Sequence, residues 1–251
     1  MATTSEAGSN PTVEALLEAY ARTGMPPKFS PAQSSVLIAT WHAIAEGVPV
    51  TPERIAGIAA DSGMSAEEAN EFLGWMSEKD EAGNILGTMG LTQTDWPPAK
   101  FTVDGHELHA WCALDTLFLP LMLNKTADVE VPAATGGSIR LRIGPERVES
   151  VEPASAVMTT VVPTVSDTEG IEAVEGIWNS FCHYSLYFPS REEAEAFAAD
   201  KDPEITVLSI EDAYEVASRA FADLRQYAVA PVASDAPAAG GPAGARGPAC
   251  C

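Results

Sequence analysis

The sequence predicts an α+β protein. A helical, winged-helix-like module over residues 12–104 packs on a mixed, mainly antiparallel sheet domain with helices over residues 105–228. Three observations lead there. Apolar residues recur at helical spacing through the first third of the chain. Short β-prone runs bounded by turn signals crowd the stretch from 128 to 162. The strands come in succession and do not alternate regularly with helices, which favours α+β over α/β.

The elements follow in order. Val13, Leu16, Leu17 and Tyr20 mark a first helix. Ser30, Pro31 and Gln33 form the start signal of a second, with Leu37, Ile38, Trp41, Ile44 and Ala45 as its stripe and Gly47 as its stop. Thr51-Pro52 opens a short helix through Ile55, Ile58 and Ala59, and Ser65 with Glu68 opens another through Phe72, Leu73 and Met76. The Gly83-Asn84 turn and the runs Ile85–Leu91 and Lys100–Val103 supply a wing. Asp104-Gly105 signals a hairpin. Residues 107–124 read as one buried helix, kinked at Pro120. Strands are expected at Asp128–Val131, Ser138–Ile143, Val148–Val151, Ala156–Val162, Ile177–Phe188 and Ile205–Leu208, with a Gly136-Gly137 turn. Ser190 with Glu193, and Ser209 with Asp212, cap two further helices, the last reaching Leu224. Residues 1–11 and the Ala/Pro/Gly tail 229–251 have too little apolar surface to offset their ordering entropy and are expected to be disordered.

Composition narrows the function. Against 36 acidic side chains stand 14 basic ones, a net charge of −22. Phosphate binding needs clustered Lys and Arg, so nucleic acid is not the expected partner, and neither is an anionic membrane. The two helices around Asp61-Ser62-Gly63 resemble a helix-turn-helix, but residues 46–76 hold six acids and only Arg54 as a base. Such a helix would repel phosphates, which leaves a scaffold role and sets a metal-responsive repressor aside. No apolar run reaches the ~20 residues of a membrane span, and the start lacks a secretory signal. The reading is a soluble, cytoplasmic protein with free thiols.

Chemistry can come from few places. Cys112 and Asp115 lie three apart on the expected helix, among Trp111, Leu114, Leu117 and Phe118. An acid in such surroundings is either a hydrogen-bonded structural group or a functional one. On the expected strand 177–188, period-two parity points Cys182 inward with Trp178, Ser180 and Tyr184, and His183 outward. Cys182 is then an inert core thiol or, if the fold brings it to Cys112, part of a site of two thiols and one carboxylate suited to a soft metal. His106 and His109 are weaker ligand candidates, and His42 and His183 have no visible partners. There is no CxxC, GxGxxG, Walker loop or Gly-x-Ser-x-Gly elbow.

Four segments together resemble one family. LHAWCALDTLFLP (residues 108–120), AATGG (133–137), VEPA (151–154) and SFC (180–182) are similar in order and spacing to organomercurial lyases, also called alkylmercury lyases. The likeness spans roughly residues 30–227 and is most specific from 100 onward. It implies protonolysis of a carbon–mercury bond, with Cys112 and Cys182 as the thiol pair, Asp115 as the third active residue and all three holding the Hg(II) product. It further implies no organic cofactor, external thiols for turnover, and delivery of Hg(II) to mercuric reductase. Two family cysteines are replaced, by His183 and Pro132. The terminal pair Cys250-Cys251 lies outside the likeness and is either a further mercury site or a fortuitous tail. A soft-metal carrier of Hg or Cu, akin to the copper chaperone that serves nitrous-oxide reductase, is the alternative function. A carrier would have no need of Asp115 beside Cys112.

Overall fold

The computed structural model describes residues 10–96, 99–133, 136–162, 174–199, 201 and 204–228. Of the start expected to be disordered, Asn10 and Pro11 are instead ordered, because Asn10 caps a helix that begins at Pro11; residues 1–9 and the tail 229–251 with Cys250-Cys251 lie outside this set.

Four helices come first: α1 (Pro11–Thr23), α2 (Pro31–Ile44), α3 (Pro52–Asp61) and α4 (Ala66–Gly74). Each begins where a side chain satisfies otherwise orphaned N–H groups. Asn10 caps α1, Thr51 caps α3, and Ser30/Gln33 and Ser65/Glu68 form reciprocal capping boxes on α2 and α4. Loss of one such cap costs about 1 kcal/mol. The wing is the hairpin β1 (Ser77–Lys79) and β2 (Ile85–Thr88). The run expected to continue to Leu91 breaks at Met89-Gly90, where both residues have positive φ, and β3 (Leu91–Thr92) folds back on β2.

The wing is not a separate sheet. β4 (Ala99–Val103) and β5 (His106–Ala110) turn at Asp104-Gly105, and β6 (Ala127–Pro132), β7 (Ser138–Ile143) and β8 (Val148–Glu152) follow. All eight form one antiparallel sheet in the order β1-β2-β3-β5-β4-β6-β7-β8. Its faces differ as strand periodicity requires. On β7, Ile139, Leu141 and Ile143 are buried, while Arg140 and Arg142 face water and pair across the register with Glu130 and Asp128. A second antiparallel sheet, β10-β9-β11, combines β9 (Val157–Val161), β10 (Tyr187–Phe188) and β11 (Ile205–Ser209). Helices α6 (Val174–Ser180), α7 (Arg191–Ala198), α8 (Ile210–Ala220) and α9 (Ala222–Ala228) are the remaining helices among the described residues. The last expected helix is interrupted at Phe221, whose ring stacks on Phe118 with centroids 4.1 Å apart.

Two expectations need correction. Residues 107–124 are not one helix: 106–110 is strand β5, and only α5 (Ala113–Leu123) is helical. The run is apolar throughout, so period alone cannot separate a buried strand from a buried helix. Pairing of β5 with both β3 and β4 decides for strand. Nor is 177–188 one strand: α6 runs to Ser180, a 3₁₀ turn spans Cys182–Tyr184, and only Tyr187–Phe188 pairs. Cys182 is buried and His183 exposed, but the tight turn places them so, not strand parity.

Helix α5 is the centre of the molecule, with all eleven residues buried. Trp41 of α2 packs on Phe118 from one side, and Phe221 stacks on it from another. This anchoring fixes the start of α5, where the chemistry lies.

Candidate active site

Cys112 is the N-cap of α5 and Asp115 its third residue. The pair therefore meets across a helix start and not along a helix face. The Cys112 N–H donates to Asp115 Oδ2 at 2.7 Å. An acid at this position also gains from the helix N-terminus. Cys182 arrives from the 3₁₀ turn. The Ala113 N–H donates to the Ser185 carbonyl at 3.0 Å, tying that turn to the start of α5. The Tyr187 hydroxyl strengthens the tie, donating to the Ala113 carbonyl and sharing a 2.7 Å hydrogen bond with Thr116. Residues 70 apart in sequence are thus brought together at the start of α5.

The ligand atoms of Cys112, Asp115 and Cys182 all lie within 4.8 Å of one another, and all three residues are buried. Among the described residues this is the one His/Cys/Asp/Glu group close enough to hold a metal ion together. His106 and His109 sit on β5 and do not join it. Asp115 and Cys182 front a cavity of about 370 Å³ with apolar walls that include Met25, Trp75, Met89, Leu114, Phe181 and Phe221.

Burial sets the proton affinities. It pushes the Asp115 carboxyl up to about 7, against hydrogen bonds from Cys112 that favour the charge. Ionising Asp115 here costs about 4 kcal/mol more than in water. Burial likewise raises the Cys112 thiol well above its ordinary value, with the Cys182 hydrogen bond and the Asp115 charge adding to it. For Cys182, the hydrogen bond to Cys112 lowers the pKa, but burial and the Asp115 charge outweigh it and the net shift is upward. At neutral pH the thiols are protonated beside a carboxyl balanced between its two forms.

Two further residues shape the site. Gly90, in the turn between β2 and β3, has φ +99°, and a Cβ there would sit 2.7 Å from Asp115 Oδ1. Its carbonyl accepts from the Trp111 N–H at 2.9 Å. Glu78 on β1 accepts from the Trp111 indole N–H at 2.6 Å. Sequence reading missed both. A glycine inside an apparent strand signals close backbone approach and could have pointed to Gly90. Glu78 carries no local signal.

The sequence profile of alkylmercury lyases matches residues 94–222, half of the chain and all three clustered residues. The chain belongs to the alkylmercury lyase family. Relatives agree. The alkylmercury lyase of Staphylococcus epidermidis is 38% identical over 176 residues, covering 69% of this chain and 75% of that protein. That of Streptomyces lividans is 38% identical over 177 residues, with the same coverages, and that of Pseudomonas putida 36% identical over 165 residues, 60% of this chain and 73% of that protein. The crystal structure of a mercury-bound form of MerB2 shares the fold, with a TM-score of 0.64 at 21% identity over 85% of this chain and 98% of that one. This alkylmercury lyase family member thus carries its buried thiol pair and carboxyl within the matched segment.

Proposed function

We propose that this chain cleaves carbon–mercury bonds by protonolysis, with Cys112 and Cys182 as the mercury-binding thiols and Asp115 as the proton carrier. One observation supports this above all: two soft ligands and one proton-exchanging group meet within 4.8 Å, with Asp115 and Cys182 facing a largely apolar cavity.

The balance is R–Hg⁺ + 2 Cys–SH → R–H + Hg(S–Cys)₂ + H⁺. Mercury binds the first thiol and displaces its proton, since a coordinated thiol ionises readily. Asp115 in its carboxylate form takes the proton of the second thiol, and a second mercury–sulfur bond forms. Electron density from two thiolates weakens the carbon–mercury bond. Asp115, now protonated, gives its proton to the departing carbon, the bond breaks with its electron pair on carbon, and the hydrocarbon leaves. A carboxyl near 7 suits both halves of this exchange at neutral pH. The apolar walls receive the alkyl or aryl group and keep water from the reacting centre. A soft-metal carrier would gain nothing from the cost of ionising a buried Asp115.

The protein's own side chains supply every group in this sequence, so no organic cofactor is invoked. External thiols remove the product, because two thiolates hold Hg(II) tightly. A reducing, cytoplasmic setting fits the reading, since oxidation of Cys112 and Cys182 would silence the site; among the described residues no helix is long and apolar enough to cross a membrane. Mercuric reductase is the proposed recipient of Hg(II), with Cys250-Cys251 as the transferring arm. Changing both to Ser then slows Hg(II) transfer to a dithiol acceptor without changing hydrocarbon release. Equal transfer rates would assign the tail no such role.

The direct test is release of benzene from phenylmercury in excess small thiol, followed by gas chromatography. Asp115 must be ionised to accept a proton, so kcat/KM is expected to rise about tenfold per pH unit below 7 and level off above it. Asp115→Ala should lose about 10²- to 10⁴-fold and show no such limb. Absence of benzene from the parent protein would overturn the reading.

A further inference from the structure

We propose that a second cavity, on the far side of Cys112, is a port through which a small-molecule thiol reaches the bound mercury and carries it away. This rests on the lyase reading above and adds to it a separate route for release.

The two sides of the site are divided. The cavity of about 370 Å³ is lined by Asp115 and Cys182 but not by Cys112. Cys112 lines a different cavity of about 220 Å³, which touches neither Asp115 nor Cys182. Trp111 alone lines both. It is a held partition: Glu78 takes its indole N–H, and Glu78 is itself fixed by the Thr92 and Thr94 hydroxyls at 2.8 and 3.1 Å. The second cavity is walled by Val131, Tyr187 and Ser185. The Ser185 hydroxyl is buried and has no hydrogen-bond partner among the described residues. At the mouth stands Trp96, 67% exposed, its ring 5.8 Å from that of Trp178.

The division matches the chemistry. Protonation of carbon must happen on the Asp115 side, so the organic group occupies the larger cavity. Hg(II) then remains on two thiolates, and only another soft ligand can displace it. From the larger cavity that ligand would compete with hydrocarbon and incoming substrate. From the smaller one it meets mercury on the Cys112 side. The steps are RSH + Cys112–S–Hg–S–Cys182 → RS–Hg–S–Cys182 + Cys112–SH, then a second RSH gives Hg(SR)₂ and Cys182–SH. In each, one mercury–sulfur bond forms, one breaks, and the incoming thiol's proton passes to the protein sulfur. Nothing is oxidised or reduced.

The test uses full-length protein with Cys250→Ser and Cys251→Ser, so that tail thiols do not share the metal. Protein loaded with one equivalent of HgCl₂ is mixed with 2-mercaptoethanol or glutathione, and release is timed by rapid desalting and mercury analysis. Single-turnover benzene formation from phenylmercury is measured on the same variants. Val131→Trp, which fills the cavity, should slow release to both thiols at least about fivefold. Trp96→Ala, which opens an exposed mouth and leaves the core intact, should speed release to glutathione at least about threefold and to 2-mercaptoethanol less. Benzene formation should match the parent in both. Parental release rates with unchanged benzene would refute the port and leave the lyase standing. Benzene slowed in step with release would make this cavity part of the substrate site and also refute it. Failure of the parent to form benzene would instead strike the lyase reading itself. Should Val131→Trp fail to fold, Trp96→Ala decides alone.

Discussion

Cys182→Ser is expected to abolish benzene release from phenylmercury, by at least about 10³-fold, the scale on which loss of a single reacting nucleophile acts. A serine hydroxyl fills nearly the same volume but stays protonated and is a hard ligand, so it neither ionises against mercury nor holds it. The fold should barely notice. Cys182 is buried in the 3₁₀ turn, and that turn is held by backbone hydrogen bonds, Ser185 N–H to Cys182 and Ala113 N–H to Ser185, which the change leaves intact. The melting temperature should therefore stay within a few degrees of the parent. Cys112→Ser should behave alike. Mercury titration separates the roles: each single variant should lose tight two-sulfur binding of Hg(II) at the site. Turnover surviving in Cys182→Ser would mean that one thiol suffices, and the two-thiolate scheme would fall.

Much of this fold is written locally. The capping pairs Ser30/Gln33, Ser65/Glu68, Ser190/Glu193 and Ser209/Asp212 sit where the helices begin. Strand β7 has the expected bounds, and its alternation shows which face is buried. Such signals are legible because each needs only neighbours three or four residues away, or a period of two. Readings failed where distant partners decide. The apolar run 107–124 holds both a strand and a helix, and only pairing with β3 and β4 separates them. The alternation in Trp178–Phe188 mimics a strand, but the tie from Ala113 to Ser185 closes a tight turn there. The site was legible in the same proportion. Cys112 and Asp115 are neighbours in the chain, while the approach of Cys182 depends on contacts that no local pattern carries. The family resemblance supplied that approach in advance; the residues alone did not.

Gly90→Ala should be the most damaging substitution outside the three reacting groups, and for a reason the sequence hides. Gly90 lies 25 positions before Asp115, inside a run that reads as a strand, and nothing in that run names the carboxyl it approaches. Two constraints act on it at once. Its φ of +99° is one that L side chains rarely adopt, which costs about 1–3 kcal/mol. A methyl group would also stand 2.7 Å from Asp115 Oδ1 and 2.8 Å from its Cγ, closer than atoms approach without displacement. Either the turn retreats, pulling on the Trp111 N–H that Gly90 holds, or the carboxyl moves. Retreat of the turn is opposed by β2 and β3, which pair on either side of it. The carboxyl ends a rotatable side chain held by hydrogen bonds around the start of α5, so it is the group expected to yield. A proton carrier displaced by about an ångström loses on the order of 10²-fold in rate. The expected outcome is therefore a fall in kcat of about that size, with mercury still bound by both thiols and a melting temperature lowered by several degrees. A merely destabilised protein would regain its rate at low temperature, where it is fully folded, whereas a displaced Asp115 would not. Recovery of parental kcat in the cold would show that Gly90 serves the turn and not the carboxyl.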